Sequence, residues 1–142
     1  IVNTILDWAE KKGSHEIVIL DGVASKTHDG KAFCAAEEDL CRVMESNDIN
    51  MIPQGFITGV AGGLLNECLM RPIQGITLLV KANDKGADPL AAATLLDAVN
   101  RAYGLNINTS DLRKKKKRIG ADFKELSDKY TEHRKIDSNM YM

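Results

Sequence analysis

The sequence predicts an α/β domain with a sheet that is at least partly parallel. Apolar runs rich in β-branched residues at positions 16–20 and 73–80 predict strands, and the first, bounded by Asp21 and Gly22, suits a strand buried on both faces. Helical segments alternate with these runs, as is typical of layered α/β sheets. The length of 142 residues and the 44% hydrophobic composition are enough for one domain with a sizeable core.

Local signals predict the elements of the first half. A helix opens the chain and should end at Gly13, because glycine tolerates the left-handed turn that follows a helix. A loop at 24–31 leads to a short strand at 32–35. A helix at 37–45 follows, and its predicted buried stripe is Leu40, Val43 and Met44.

The strongest helix signals surround the segment that begins at Asp88. Asp88 is a good N-cap, Pro89 suits the first helical position, and Gly104 suits the end of a helix whose last residue is Tyr103. The predicted packing face of this helix is Ala91, Ala92, Leu95, Leu96, Ala98, Val99 and Ala102.

The pattern of a glycine-rich segment in the middle of the chain predicts a strand, then a loop, then a helix. Thr58 or a neighbour could cap the helix, and small residues line its start. A phosphate cradle is one interpretation, but no lysine and Ser/Thr pair follows the glycines, and their spacing is not that of a dinucleotide-binding fold. Close packing of two backbones is the favoured interpretation. The candidate residues for ligand binding or close packing are Gly55, Thr58, Gly59, Gly62 and Gly63.

From Ser110 the chain is predicted to form one long charged helix, with Ser110 and Asp111 as caps. The basic run at 113–118 could contact nucleic acid, but no aromatic residue interleaves with it and acidic residues follow, so a solvated face is favoured. An apolar seam along the helix could bind a partner or pack on its own domain. The seam consists of Leu112, Ile119, Phe123, Leu126 and Tyr130.

Composition narrows the classes of function. A formal net charge of -1 gives no global attraction to nucleic acid or to an anionic membrane, and no apolar run is long enough to cross a bilayer. Three cysteines without CxxC spacing predict neither a disulfide framework nor a zinc site. We therefore expect a cytoplasmic protein with no cofactor and no metal.

No catalytic constellation emerges from the polar residues. Asp21, Asp84 and Asp88 could meet at one edge of the sheet, where α/β ligand sites lie, but loop acids and a helix cap are the simpler interpretation. No metal-ligand spacing relates the histidines, and no nucleophile elbow is present. The histidines are His15, His28 and His133.

The chain ends in Met140, Tyr141 and Met142 after a short polar stretch at 134–139. These residues offer one pocket three kinds of contact: an apolar side chain, a phenol that packs and hydrogen-bonds, and a terminal carboxylate. A docking peptide is therefore one interpretation of the tail. A frayed, solvated terminus is the other.

Several motifs of the interior follow one another in a set order. These are Pro53-x-Gly55-x-Ile57-Thr58-Gly59, then Gly63-Leu64-Leu65-Asn66-Glu67, an apolar strand, Asp88-Pro89-x-Ala91-Ala92, and Tyr103-Gly104-Leu105. Over about residues 1–126 the chain thereby resembles the proteasome assembly chaperone family, including its archaeal members. The resemblance implies a three-layer α/β sandwich, similar to phosphorylase/hydrolase-like proteins, with a largely parallel central sheet. It also implies action by binding, not by known catalysis.

The resemblance changes the interpretation of the tail. Members of this family can carry a C-terminal hydrophobic-Tyr-any motif that inserts between α subunits of the proteasome core, and Met140, Tyr141 and Met142 match it position by position. The resemblance implies that Met140 packs, that Tyr141 orders the pocket wall and that the Met142 carboxylate pairs with a pocket lysine. It further implies a homo-oligomer.

The predicted organisation is an α/β domain at 1–109, a long helix at 110–133 and a flexible docking tail at 134–142. The family's domain is longer on its N-terminal side, and the chain opens in a helical pattern without an initiator Met, so we expect a preceding part to be missing. The predicted function is an ATP-independent proteasome-binding assembly chaperone or activator-like protein, not an enzyme. The alternatives are a nucleotide-dependent enzyme, ATP-grasp-like or phosphorylase-like, and an oligomeric scaffold with an inert tail.

Overall fold

A four-stranded sheet with helices on both faces forms the centre of the fold. The computed structural model describes residues 1–115, and no helix in this range is long and apolar enough to span a bilayer. The elements in chain order are α1 (Val2–Lys11), β1 (Glu16–Ala24), β2 (Ala32–Ala36), α2 (Glu38–Glu45), β3 (Asn50–Met51), α3 (Gly59–Cys68), β4 (Gln74–Ala82) and α4 (Pro89–Tyr103).

The sheet is mixed and has the strand order β1-β4-β2-β3. β1 is parallel to β4, β2 is parallel to the short β3, and β2 runs antiparallel to β4. The prediction of an α/β sheet with parallel pairs is confirmed. β4 lies between β1 and β2, and six consecutive residues of β4, from Gly75 to Val80, are buried.

β1 differs from its prediction in length and in burial. It continues through Asp21 and Gly22 to Ala24, because its pairing with β4 continues in register to Ala82. Glycine fits there because a Cβ on Gly22 would lie 3.2 Å from the Cβ of Ala82. The expectation of a strand buried on both faces is wrong, since β1 lies at the end of the sheet and none of its side chains is fully buried.

The two faces of the sheet carry separate cores. The face under α2 and α4 contains the larger cluster, formed by Ala32, Cys34, Cys41, Met44, Ile49, Ile76, Leu78, Val80, Ala91, Leu95 and Ala98. The face under α1 and α3 contains Leu6, Ala9, Leu64, Cys68 and Ile73, with Ile17 and Ile19 of β1 packed against them. Helices on both faces place the sheet in the middle layer.

Two predicted packing faces are rotated slightly in the structure. In α2, Cys41 and Met44 are buried, whereas Val43 is exposed, because the helix points the i and i+3 pair at the sheet. In α4, the buried residues include Ala93 and Thr94, whereas Ala92 and Leu96 are only partly buried. Burial of the Thr94 hydroxyl leaves no unpaired donor, because the hydroxyl donates a hydrogen bond to the Leu90 carbonyl at 2.9 Å.

The helix ends follow the sequence signals closely. α1 ends before Gly13, which has a φ of 75°. α4 begins with Pro89 and ends at Gly104, which has a φ of 62°. Residues 110–115 are helical, as the sequence predicts for the start of the charged helix. The rest of that helix, residues 116–133, lies outside the described residues and stays a prediction.

The three cysteines are free and buried. Burial and the neighbouring Cys41 raise the pKa of the Cys34 thiol to about 12, and burial raises the pKa of Cys68. Both thiols are therefore protonated and shielded at neutral pH. They act as small apolar side chains of the two cores.

We expect Leu78→Ala to destabilise the fold by about 2–5 kcal/mol, because it opens a cavity beneath a fully buried side chain of the central strand. Val43→Ala, on the exposed side of α2, should change stability by less than about 0.5 kcal/mol. Urea unfolding followed by circular dichroism measures both values. Equal losses in the two variants would contradict the central role of β4.

Candidate functional site

The glycine-rich segment forms a loop over the sheet and then enters α3. Thr58 occupies the N-cap position with an extended backbone, as predicted, but its side chain makes no capping hydrogen bond. Gly59 has a φ of 67°, a conformation that favours glycine, so the chain turns into the helix at that residue. The order of strand, loop and helix is confirmed, although the strand is only two residues long.

Two of these glycines lie at points of close contact, Gly62 with a backbone carbonyl and Gly63 with a side chain. A Cβ on Gly62 would lie 2.2 Å from the carbonyl oxygen of Ile57, inside the preceding loop. A Cβ on Gly63 would lie 2.9 Å from Cγ2 of Val2, on the neighbouring α1. Small residues are therefore required here by packing within the chain, which supports the close-packing interpretation of the segment.

Gly55 and Thr58 instead line an open cavity of about 350 Å³ beside the loop. The other lining residues are Asp21, Gly22, Val23, Ile52, Gln54, Phe56, Ile57 and Leu79. None of them carries a positive charge, and the Oδ1 atom of Asp21 accepts a hydrogen bond from the N–H of Gly22 at 2.8 Å. The cavity thus lacks the cations that usually bind phosphate. Ligand binding by the glycine segment stays a prediction.

Of the three acids expected at one edge of the sheet, two come together. Asp84 and Asp88 line a second cavity, of about 340 Å³, at the carboxyl ends of the parallel strands β1 and β4. Asp21 belongs to the cavity beside the glycine loop. The remaining lining residues of the second cavity are Ser25, Lys26, His28, Ala82, Asn83 and Lys85.

Asp88 acts as the N-cap of α4, which is the simpler of the two roles expected for it. Its Oδ1 atom accepts hydrogen bonds from the N–H groups of Leu90 and Ala91, at 3.1 and 3.0 Å, and Oδ2 accepts one from Asn83 at 3.0 Å. Burial of the carboxylate opposes ionisation, but these backbone hydrogen bonds outweigh it, so the pKa of Asp88 is lowered. The carboxylate occupies the helix terminus that would otherwise attract an anion.

His28 connects the loop after β1 to α4. Its Nδ1 atom accepts a hydrogen bond from the N–H of Gly30 at 3.0 Å, and its Nε2 atom lies 3.5 Å from the Thr94 hydroxyl. The next residue, Asp29, forms an ion pair with Lys81 of β4 at 2.9 Å, and the pKa of Asp29 is lowered by the hydrogen bond from that lysine. These contacts hold the loop in place.

The histidines do not form a site in the described part of the chain. His15 and His28 lie at opposite ends of β1, and His133 is outside the described residues. No group of histidine, cysteine, aspartate or glutamate within residues 1–115 could hold a metal ion.

The basic run is described only over its first half. Arg113 forms an ion pair with Asp97 of α4, and Lys114 lies 3.6 Å from Asp111. These pairs fit a solvated face that is tied to the body of the domain. Met140, Tyr141 and Met142 lie outside the described residues, as do the seam residues after Leu112.

Sequence reasoning missed two exposed aromatic side chains. Phe56, at the tip of the glycine loop, is 100% exposed, and Trp8 on α1 is 62% exposed. Trp8 could have been found from the sequence, because on a helical wheel it falls away from the stripe of Leu6 and Ala9. Phe56 carried no such signal, since it follows a loop glycine and has no periodic neighbours.

Comparison with known proteins defines the class to which this fold belongs. The model of the PAC2 family matches residues 1–127, so the chain is a member of the PAC2 family. The resemblance to the proteasome assembly chaperone family is thereby confirmed.

Three archaeal proteins are among the relatives of this chain. The chain is 27% identical over 133 residues to an uncharacterized protein of Methanocaldococcus jannaschii, a match that covers 91% of this chain and 56% of the relative. A Pyrococcus furiosus protein described as an archaeal proteasome activator, PbaB, is 26% identical and superposes with a TM-score of 0.76 over 89% of this chain and 56% of its own. PbaA of the same organism, described as a homolog of proteasome-assembly chaperone, shares the fold, with a TM-score of 0.86, 23% identity and coverages of 99% and 60%. The chain therefore spans less than two thirds of the length of these relatives.

We expect Gly62→Ala to destabilise the fold by about 1–3 kcal/mol, because the new methyl group would overlap the Ile57 carbonyl. Gly86→Ala is the matched control, since no atom beyond its chain neighbours lies within 4 Å of the position that its new methyl group would take. Urea unfolding of both variants measures the difference. Because alanine favours a helix more than glycine does, a stabilised Gly62→Ala variant would show that the close contact is absent.

Stability should also depend on the ionisation of Asp88. A lowered folded pKa means that the carboxylate stabilises the fold above its unfolded pKa, near 3.8, and that this stability is lost as the pH falls through the folded pKa. At pH 7, Asp88→Ala should cost about 1 kcal/mol, whereas Asp88→Asn should cost less because the amide oxygen still caps the helix. Unfolding curves between pH 7 and pH 2 should show a smaller acid loss in Asp88→Asn than in the parent. Identical pH profiles would contradict this role.

Proposed function

We propose that this chain is a proteasome-binding assembly chaperone or ATP-independent activator-like protein that docks its C-terminal tail into pockets of the proteasome α ring. One observation carries the proposal: a member of the PAC2 family ends in Met140, Tyr141 and Met142. The similarity to PbaB, described as a proteasome activator, and to PbaA, described as a homolog of proteasome-assembly chaperone, supports the choice of partner. Such a protein would work in the cytoplasm.

The chemistry of the three residues supports a docking role. Met140 is flexible and apolar, so it can fill an irregular pocket. Tyr141 offers a flat apolar ring with a hydroxyl that can donate or accept a hydrogen bond. The terminal carboxylate is a full negative charge at the chain end, which a lysine or a group of backbone N–H groups can bind. These three contacts need no catalytic residue in the domain.

Several tails on one particle would make weak docking effective. A single three-residue tail buries little surface and should bind weakly, but a homo-oligomer that presents several tails to a ring raises the effective concentration of each further tail. The charged helix that begins at Ser110 would carry the tail away from the domain. The polar stretch at 134–139 would then act as a short flexible linker and accommodate differences in symmetry.

We expect Tyr141→Ala and deletion of 140–142 to weaken binding to purified proteasome α rings by about 10- to 100-fold, equivalent to about 1.4–2.8 kcal/mol in the observed binding free energy. Tyr141→Phe is the matched control, because it keeps the ring and removes only the hydroxyl, and it should lose less. Biolayer interferometry on immobilised α rings measures all four proteins.

A peptide of residues 134–142 provides an independent arm of this test. With a free carboxylate it should compete with the full chain for the ring, whereas the same peptide with an amidated end should not. Equal binding by the parent and the tail variants would refute tail docking and favour an inert tail. Failure of the parent to bind at all would refute the proteasome as partner and return attention to an enzymatic role.

A further inference from the structure

After α4 the chain turns back along the helix that it has just left. Gly104 ends α4 in a left-handed conformation, which reverses the direction of the chain. Residues 105–115, which we call the connecting segment, contact first Asn100 of α4 and then Asp97. Because later residues of the segment contact an earlier position of α4, the connecting segment runs antiparallel to that helix.

Asn100 holds the beginning of the connecting segment through two hydrogen bonds. Its Nδ2 atom donates to the carbonyl oxygen of Ile107, and its Oδ1 atom accepts from the N–H of the same residue, both at 2.9 Å. Leu105 is 50% exposed and Ile107 is 40% exposed. Polar pairing, and not deep burial of these two side chains, therefore holds the segment at this point.

Asp97 holds the connecting segment a second time, where its helical part begins. Oδ1 of Asp97 accepts a hydrogen bond from the Thr109 hydroxyl at 2.8 Å, and Oδ2 forms an ion pair with Arg113. The carbonyl of Thr109 accepts a helical hydrogen bond from the N–H of Arg113 at 3.2 Å, so these two residues lie one turn apart. One carboxylate thus contacts both ends of the first helical turn and fixes its rotation about its own axis.

The two contacts together determine a direction. Asp97 and Asn100 are three positions apart in α4, so they lie on the same side of the helix. We call these two residues the α4 anchor. A segment held at one point can swing about that point, whereas a segment held at two points along α4 has its direction set by α4.

We propose that Asp97 and Asn100 are positioning residues for tail docking, because the α4 anchor sets the direction in which the chain leaves the domain towards Met140, Tyr141 and Met142. This inference rests on the proposed function. Several tails of one particle occupy separate pockets of a ring only if each leaves its domain in a direction that reaches a pocket, and avidity is lost where geometry prevents simultaneous binding. The α4 anchor acts through the connecting segment and not by contact with the ring.

The α4 anchor should affect dissociation from the ring more than association. The first tail binds by itself, whereas the second and later tails bind only if their directions match the ring, and the particle leaves when all tails are free. Loss of the anchor should therefore shorten the residence time by about 10-fold and change the association rate by less than about twofold. A chain that is merely less stable would lower the amount bound, not the lifetime of each complex.

Biolayer interferometry on immobilised α rings measures both rates for the parent, Asp97→Asn and Asn100→Ala. Asp111→Asn is the matched control: it removes the same charge, but the Asp111 side chain is 85% exposed and pairs with Lys114 of its own helical turn. This control should dissociate as the parent does. Asp97→Arg combined with Arg113→Asp restores a pair of opposite charges and should recover part of the lost residence time.

Hydrogen exchange tests the α4 anchor without a proteasome. The N–H groups of Ile107 and Arg113 are hydrogen-bonded within the held segment, so their exchange reports on its opening. Asp97→Asn should raise the exchange rate of residues 107–113 by about 3- to 10-fold, as expected for the loss of one ion pair. Asp111→Asn should leave the exchange of Ile107 unchanged. Mass spectrometry of peptides that cover this range measures the rates.

Three results would overturn the proposal. The first is unchanged exchange in Asp97→Asn, which would mean that the α4 anchor does not hold the connecting segment. The second is faster exchange together with the parent's residence time on the ring, which would mean that the direction of the segment is immaterial to docking. The third is a parent chain that does not bind the ring: it refutes the proposed function and with it the role in docking, whereas the exchange rates still report on the anchor.

Discussion

The pairing of β4 with β1 on one side and β2 on the other is the constraint on which the rest of the described structure depends. Ile76, Leu78 and Val80 of β4 face the core beneath α2 and α4, while the alternate residues face α1 and α3. Within residues 1–115, both helical layers bury their apolar stripes against this sheet. The position of every candidate site therefore follows from β4: the loop that it shares with α4 forms one cavity, and the face beside Leu79 forms the floor of the other.

The sequence predicted the elements well where a local signal and a tertiary contact agree. The Asp88-Pro89 start and the Gly104 end of α4 are local chemistry, and the apolar run that became β4 is buried wherever the sheet places it. β1 was harder. Its run of isoleucine and valine is typical of a central strand, yet β1 is the last strand of the sheet within the described residues. Strand order depends on contacts between residues 58 positions apart, about which a local pattern carries no information.

The candidate site was also predictable from the sequence only in part. The sequence predicted close packing at Gly62 and Gly63 because both are small, but it did not predict their partners, the Ile57 carbonyl and the Val2 side chain. The separation of Asp21 from Asp84 and Asp88 was not predictable, because all three were expected to meet at one edge of the sheet, and the position of the glycine loop places Asp21 in a different cavity. The tail is interpreted from its sequence alone. Membership of the PAC2 family is what supports the proposal that it docks.

The register of β1 against β4 has a consequence for the synthesis of the chain. Each residue of β1 finds its partner 58 positions later, so at about 5–20 residues per second β1 leaves the ribosome several seconds before β4 exists. During that interval the edge of the Ile-Val-Ile-Leu strand that will pair with β4 is open, and a long loop must close before this pairing forms. The nascent chain would be most exposed to aggregation, and most dependent on general chaperones, in the stretch of synthesis between these two strands.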